Sequence, residues 1–194
     1  YGNREWAIRI FSKLSTSDKC LITSQNYDII DKLTPELVVF LGWSHIIPED
    51  VVAKHKCICL HPSPLPRYRG GSPIQHQIIN GEEVGAVTLF IMDKGIDTGP
   101  IVFQKEISLR GELTDIFDRI VEVGAQGLNE YIPIHKSVIP IVQNESLATT
   151  FKRRKPSQSE ITLDEIRKID AFSLYNKVRS LQYPYPLPYI LCNG

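Results

Sequence analysis

The chain lacks any excess of charge: 22 lysines and arginines stand against 22 aspartates and glutamates in 194 residues. That balance argues against a large surface for wrapping nucleic acid, which shows as a basic surplus. No apolar run approaches the length needed to span a bilayer, so no membrane partner is expected. Cysteines are few: Cys20, Cys57, Cys59 and Cys192. They form no CxxC pair and sit beside no histidine cluster, which excludes the usual zinc patterns, so no metal is expected. Their usage reads as that of a reducing, cytoplasmic protein. No leader segment is visible, but the first residue is Tyr1 rather than Met, so its absence decides nothing. Internal repeats and low-complexity tracts are absent as well.

What is present is ordinary globular composition, 42% hydrophobic and 23% charged, in a chain long enough for one full domain and a small appendix. Short β-rich apolar runs recur: "ELVVFLGW" (36–43), "CICLH" (57–61), "GAVTLFIMD" (85–93) and "GPIVFQKEISL" (99–109). Between them lie helical patterns. Trp6, Ile10, Phe11 and Leu14 recur at helical spacing, as do Ile116, Phe117, Ile120, Val121, Leu128 and Ile132 in a segment that Thr114 is placed to cap. The mixture predicts an α/β sheet buried on both faces. Composition shifts at "NESLATTFKRRKPSQSEI" (144–161), which reads as a linker; its KRRK stretch is, on composition alone, a solvated face. The expected organisation is therefore a catalytic domain at 1–143, a linker at 144–161 and a small subdomain at 162–194. The last comprises a helix capped by Asp170 and an extended, proline-rich arm that starts a β-hairpin.

The densest chemistry lies at "LHPSPLPRYRGGSPIQHQ" (60–77). His61 ends an apolar strand, and sites in α/β sheets lie beyond strand ends. A stiff proline-rich loop follows it. A second polar loop, "MDKGIDTGPI" (92–101), offers Asp93 and Asp97 between two strands. Asp93 has the character of a turn residue. A carboxylate in this loop could orient and charge-stabilise the His61 imidazole.

The combination HPSxLPxYRG followed by an IDTG loop, at this His-to-Asp spacing, resembles the folate-dependent formyltransferases. "GNREWAI", "RGGSPIQHQI" and "FKRRKPSQSEI" look most like the branch that formylates sugar nucleotides. The resemblance implies a Rossmann-like formyltransferase domain with a mostly parallel sheet, preceded by one further strand and continuing past Gly194. It implies 10-formyltetrahydrofolate as co-substrate and the amine of a dTDP-linked amino sugar as acceptor, for cell-surface (O-antigen) polysaccharide. No nucleic acid is expected, and a homodimer is left open. Methionyl-tRNA formyltransferase is the alternative, and it predicts a larger, basic C-terminal domain. A third reading is a folate- or nucleotide-sugar-binding protein without turnover.

The resemblance also assigns residues. His61 would stabilise the oxyanion and Asp97 would set its charge. The family's third member is an asparagine, and this chain has Cys59 there. Losing one preorganised oxyanion donor costs roughly 3–4 kcal/mol, and a thiol donates only weakly. As a nucleophile Cys59 is disfavoured, since no activating neighbour adjoins it in sequence. The pterin is expected against Ser44, His45, Ile46 and Ile47, with Lys94, Gly95 and Ile96 opposite. Acceptor phosphates are expected at Arg4, Arg69, Gly70, Gly71, Ser72 and Gln75. Trp43 divides evenly between a pocket wall and an ordinary packed aromatic.

Overall fold

The computed structural model describes residues 1–191. In chain order it contains α1 (Glu5–Ser12), α2 (Asp28–Leu33), β1 (Val38–Leu41), α3 (Glu49–Lys54), β2 (Cys57–His61) and β3 (Arg69–Gly70). There follow α4 (Pro73–Ile79), β4 (Val84–Ile91), β5 (Ile101–Ser108), α5 (Leu113–Tyr131), β6 (Thr150–Phe151), α6 (Leu163–Lys168) and α7 (Ala171–Arg179).

Four strands form the central sheet in the order β1-β2-β4-β5. Only β1 and β2 run parallel; β4 is antiparallel to both of its neighbours. The α/β class holds, while the expectation of a mostly parallel sheet is corrected to a mixed one. The reason is local: nine residues join β4 to β5, enough for a loop but too few for a crossover helix. Leu41 N–H donates to the Tyr1 carbonyl at 2.8 Å, so the first residue lies along the outer side of β1.

Six consecutive residues of β4, Gly85–Phe90, are buried. Such a run, without alternation, is what a strand covered on both faces requires. One face packs on α1 and α5 through Ile10, Leu60, Leu89, Ile116, Ile120 and Leu128. The other carries Tyr1, Ile30, Val38, Phe40, Val51 and Cys57. Each fully buried Leu or Ile contributes about 1.5–3 kcal/mol, so α5 is firmly seated. Gly124 lets it sit close: a Cβ there would lie 2.7 Å from Leu60 Cδ1 and 2.8 Å from Ile10 Cδ1. This contact fixes β2, the strand that ends on His61. The cap of α5 is not Thr114 but Glu112, whose N–H Asp115 reaches back to accept at 3.1 Å, so the helix starts two residues earlier than a cap at Thr114 implies.

The segment 144–161 is docked rather than loose. β6 pairs in parallel with β3, aligning Arg69 with Thr150 and Gly70 with Phe151. The Phe151 ring stacks on Tyr68 with centroids 5.1 Å apart. Asp170 caps α7 as expected, accepting the Phe172 and Ser173 N–H groups at 2.9 and 3.0 Å. Arg179 ties α7 back to the turn between β5 and α5 by donating to the Leu109 and Gly111 carbonyls at 2.7 and 3.1 Å. The arm beyond it makes a parallel bridge, Glu160 with Tyr189; any hairpin reaching Cys192–Gly194 lies outside the described residues. No helix among these is long and apolar enough to cross a membrane.

Candidate active site

β2 alternates. Ile58 and Leu60 face the helical core, while Cys57, Cys59 and His61 share the opposite face by the two-residue period of a strand. His61 ends the strand, and there the chain turns into the proline-rich loop. That loop folds back so that the Tyr68 carbonyl meets His61 Nε2 at 2.8 Å. A carbonyl only accepts, so Nε2 carries a proton. Nδ1 faces Asp97 Oδ2 at 3.4 Å. That oxygen also accepts the Gly70 N–H at 2.7 Å. An unprotonated Nδ1 would set two acceptors against each other. The two side chains face each other largely out of water.

Cys59 joins them. Burial, and then the negative charge of Asp97, push its thiol far above the ordinary value. It stays protonated, and its only hydrogen bond among the described residues is a weak one to the Leu60 carbonyl at 3.6 Å. A neutral, buried thiol is a poor nucleophile. Cys57, one pleat away, is also pushed up by burial, to about 11.

These three residues form the closed end of a cleft of about 270 Å³. Gly70, Gly71, Ser72 and Pro73 make one wall, and Trp43 and Ser44 another. Trp43 is thus a cleft residue, held by donation from Nε1 to the Tyr27 hydroxyl at 2.8 Å. Three aromatic rings also line the cleft: Trp6 and Phe117, which the sequence marks only as helix-face apolar residues, and Tyr185, with successive centroids 6.4 and 6.1 Å apart. Burial pushes the Tyr185 phenol up to about 12, so it is a neutral donor. The open end holds Arg4, Arg153, Arg154 and Lys155.

Several sequence expectations change here. Arg69 is not available to a phosphate. It is 4% exposed and its guanidinium is spent on Gln143 and Glu145. Gln75 borders the cleft, but its amide N–H₂ turns toward the Ser180 carbonyl. Arg153, Arg154 and Lys155, read as a solvated face, instead stand at the cleft mouth because β6 pins this segment beside β3. Of the two expected pterin loops, only Ser44 and Asp97 reach the cleft. His45 leans on Trp43 and contacts Gln25. Ile46 is 92% exposed, and Ile47 packs against the core cluster on this face of the sheet. Lys94, Gly95 and Ile96 lie on the outer slope of a tight turn, where Asp93 accepts the Gly95 N–H and the Thr98 hydroxyl at 3.0 and 2.6 Å. Asp93 is therefore a turn residue, as its sequence suggests. The spacing of strands and loops could reveal His61 and Asp97. Nothing in it could place Tyr185 or the basic stretch, which arrive from a distant part of the chain.

A mixed sheet with helices on its faces, and a histidine–aspartate pair at a strand end, define the Rossmann-like fold of formyl-group transferases. The model of the formyl transferase family matches residues 3–132, and the chain belongs to that family. It is 35% identical over 165 residues to methionyl-tRNA formyltransferase of Thermodesulfovibrio yellowstonii, covering 82% of this chain and 52% of that protein. A methionyl-tRNA formyltransferase structure from Clostridium thermocellum superposes with a TM-score of 0.84 at 30% identity, over 98% of this chain and 86% of that one. A 4-N formyltransferase from Francisella tularensis shares the fold, with a TM-score of 0.75 at 21% identity over 89% and 72% of the two chains. The chain spans about half the length of the curated relatives it matches.

Proposed function

We propose that the protein transfers a formyl group from 10-formyltetrahydrofolate to a primary amine on a phosphate-bearing acceptor, and that this acceptor is methionyl-tRNA. The observation that carries the acceptor's class is the cleft mouth. Among the described residues, Arg4, Arg153, Arg154 and Lys155 have no carboxylate within ion-pair distance, while nine other lysines and arginines do. Arg154 Nε is buried without a partner, and burial lowers the pKa of its guanidinium. Clustered, underused cations suit a phosphate ester. The relatives' activity supports methionyl-tRNA over the dTDP-amino sugar that the motifs first suggest, and with it the expectation of no nucleic-acid partner is set aside. An amino sugar nucleotide is the second reading; it is favoured by the balanced total charge, since a pyrophosphate needs fewer cations than a tRNA.

The chemistry follows from the closed end. The amine lone pair attacks the formyl carbon, and the carbonyl electron pair moves onto oxygen. His61 lies at 3.4 Å from Asp97, longer than a full-strength charge-assisted bond. That slack leaves Nδ1–H able to donate to the new oxyanion. Asp97 holds the positive charge on the ring and takes the ammonium proton through water. Collapse breaks the bond from the formyl carbon to N10 of the folate, and the proton taken up by Asp97 passes back through water to N10, so that tetrahydrofolate leaves neutral at N10. Ser44 and Trp43 form the wall on which the pterin would lie. The test is formyl transfer from labelled 10-formyltetrahydrofolate to methionyl-tRNA and, separately, to dTDP-3-amino and dTDP-4-amino sugars. Turnover with tRNA alone supports the proposal; turnover with a sugar alone replaces the acceptor; tight binding of folate and nucleotide without turnover assigns a binding protein.

A further inference from the structure

Asp97 has a φ of +56°. A non-glycine residue in the left-handed region is uncommon, and it persists only where its surroundings enforce it. Its carboxylate must nevertheless point at His61. Something therefore holds this backbone, and the hydrogen bonds identify it.

Gln143 is 5% exposed and lies far from the loop in sequence. Its Nε2 donates to two carbonyls of the strained turn, Asp97 O at 2.9 Å and Gly99 O at 2.7 Å. Its Oε1 accepts Nε and Nη2 of Arg69 at 3.1 and 2.8 Å. This fixes which way the amide faces without ambiguity. Arginine only donates and a carbonyl only accepts, so a flipped amide would oppose like partners on both sides. The remaining guanidinium face of Arg69 is taken by both oxygens of Glu145 at 2.9 and 2.6 Å. Hydrogen bonding to Arg69 in turn lowers the Glu145 pKa. The residue after Arg69 completes the circuit, since the Gly70 N–H donates to Asp97 Oδ2. One dipeptide thus grips both ends of the same aspartate: Gly70 the carboxylate directly, and Arg69 the backbone through Gln143.

We infer that Gln143, oriented by the buried guanidinium of Arg69, is the positioning residue that aims the Asp97 carboxylate at His61. Neither Gln143 nor Arg69 borders the cleft, so both act through Asp97. The inference rests on the proposed formyl transfer for its kinetic consequence, but not for its structural one.

Three variants of the whole chain test it. Gln143→Glu keeps length and keeps an acceptor for Arg69, but sets oxygen against the carbonyls of Asp97 and Gly99. It should lower kcat by about ten- to a hundredfold, as a misplaced reacting group does, with each KM changed less than about twofold and a lowered melting temperature from the two carbonyls left unpaired. The imidazole ¹⁵N–¹H signals of His61, read with no substrate present, should move toward their positions in Asp97→Asn. Arg69→Lys retains the charge but loses the fork; it should move the same signals in the same direction by less. If Gln143→Glu folds and the His61 signals stay in place, the inference is wrong. If Gln143→Glu does not fold, unmoved His61 signals in Arg69→Lys overturn it instead. A parent chain that formylates no amine defeats the proposed function, and the His61 signals still decide the role of Gln143.

Discussion

The two ends of the cleft are built by opposite rules. At the closed end nearly every polar atom has a partner: His61 with Tyr68 and Asp97, Asp97 with Gly70, and the turn carbonyls with Gln143. At the open end four cations stand together without a carboxylate. The first arrangement is finished before any substrate arrives, as electrostatic catalysis in a dry site demands. The second is incomplete until an anion arrives. On the proposed function, chemistry falls to the closed end and acceptor choice to the open end. The two lie in different parts of the sequence, His61 and Asp97 within the family match at 3–132 and Arg153–Lys155 beyond it.

The sharpest break of this division is at the closed end. His61→Asn or Asp97→Asn should reduce formyl transfer by about three decades while folding survives and acceptor affinity holds. Single-turnover rates and equilibrium binding measure the two separately, and near-normal turnover in either variant removes the pair from the mechanism. Next in size is Cys59→Asn. If the thiol leaves the oxyanion short of a donor, restoring an amide should raise the single-turnover rate by up to about a hundredfold. A rate that is unchanged, with stability kept, means that the imidazolium alone suffices. The open end should respond differently. Arg153→Gln with Arg154→Gln should raise KM for the acceptor by about tenfold, with kcat and the folate KM near those of the parent, and should flatten the salt dependence of acceptor binding. A drop in kcat instead would merge the two ends into one.

The smallest effect should come from a position outside both ends. The Ser173 hydroxyl, followed by the Ser173 and Phe172 N–H groups, holds the Asp170 carboxyl below its ordinary 3.8. A depressed carboxylate stabilises the fold above its unfolded pKa and loses that contribution as pH falls through the folded one. Asp170→Asn should therefore lower the melting temperature at pH 7, by an amount that shrinks below pH 3.8, and should leave turnover alone. Thermal melts across pH would check this.

The closed end was the more legible in the sequence because its information is local. A histidine at the end of an apolar strand, and an aspartate in a glycine-flanked turn, are each visible within ten residues. Apolar runs report burial, not direction, so they leave the sense of the sheet unread. An arginine beside Gly-Gly-Ser reads as an anion ligand in the same way, and only the fold brings Gln143 and Glu145 to Arg69. The basic stretch at 152–155 was plain as composition and opaque as position. A two-strand pairing, Arg69–Gly70 with Thr150–Phe151, places it, and such a short contact leaves no periodic trace.

That same pairing bears on how the molecule opens. Arg69 and Gly71 donate their amides to the Thr149 and Phe151 carbonyls at 2.8 and 2.9 Å, so protection of those protons is borrowed from residues about eighty positions away. In hydrogen exchange the loop after His61 should not behave as an independent surface segment. Its amides should exchange in step with 149–151, as one cooperative unit, and a protease that nicks the chain between residues 144 and 149 should release both together.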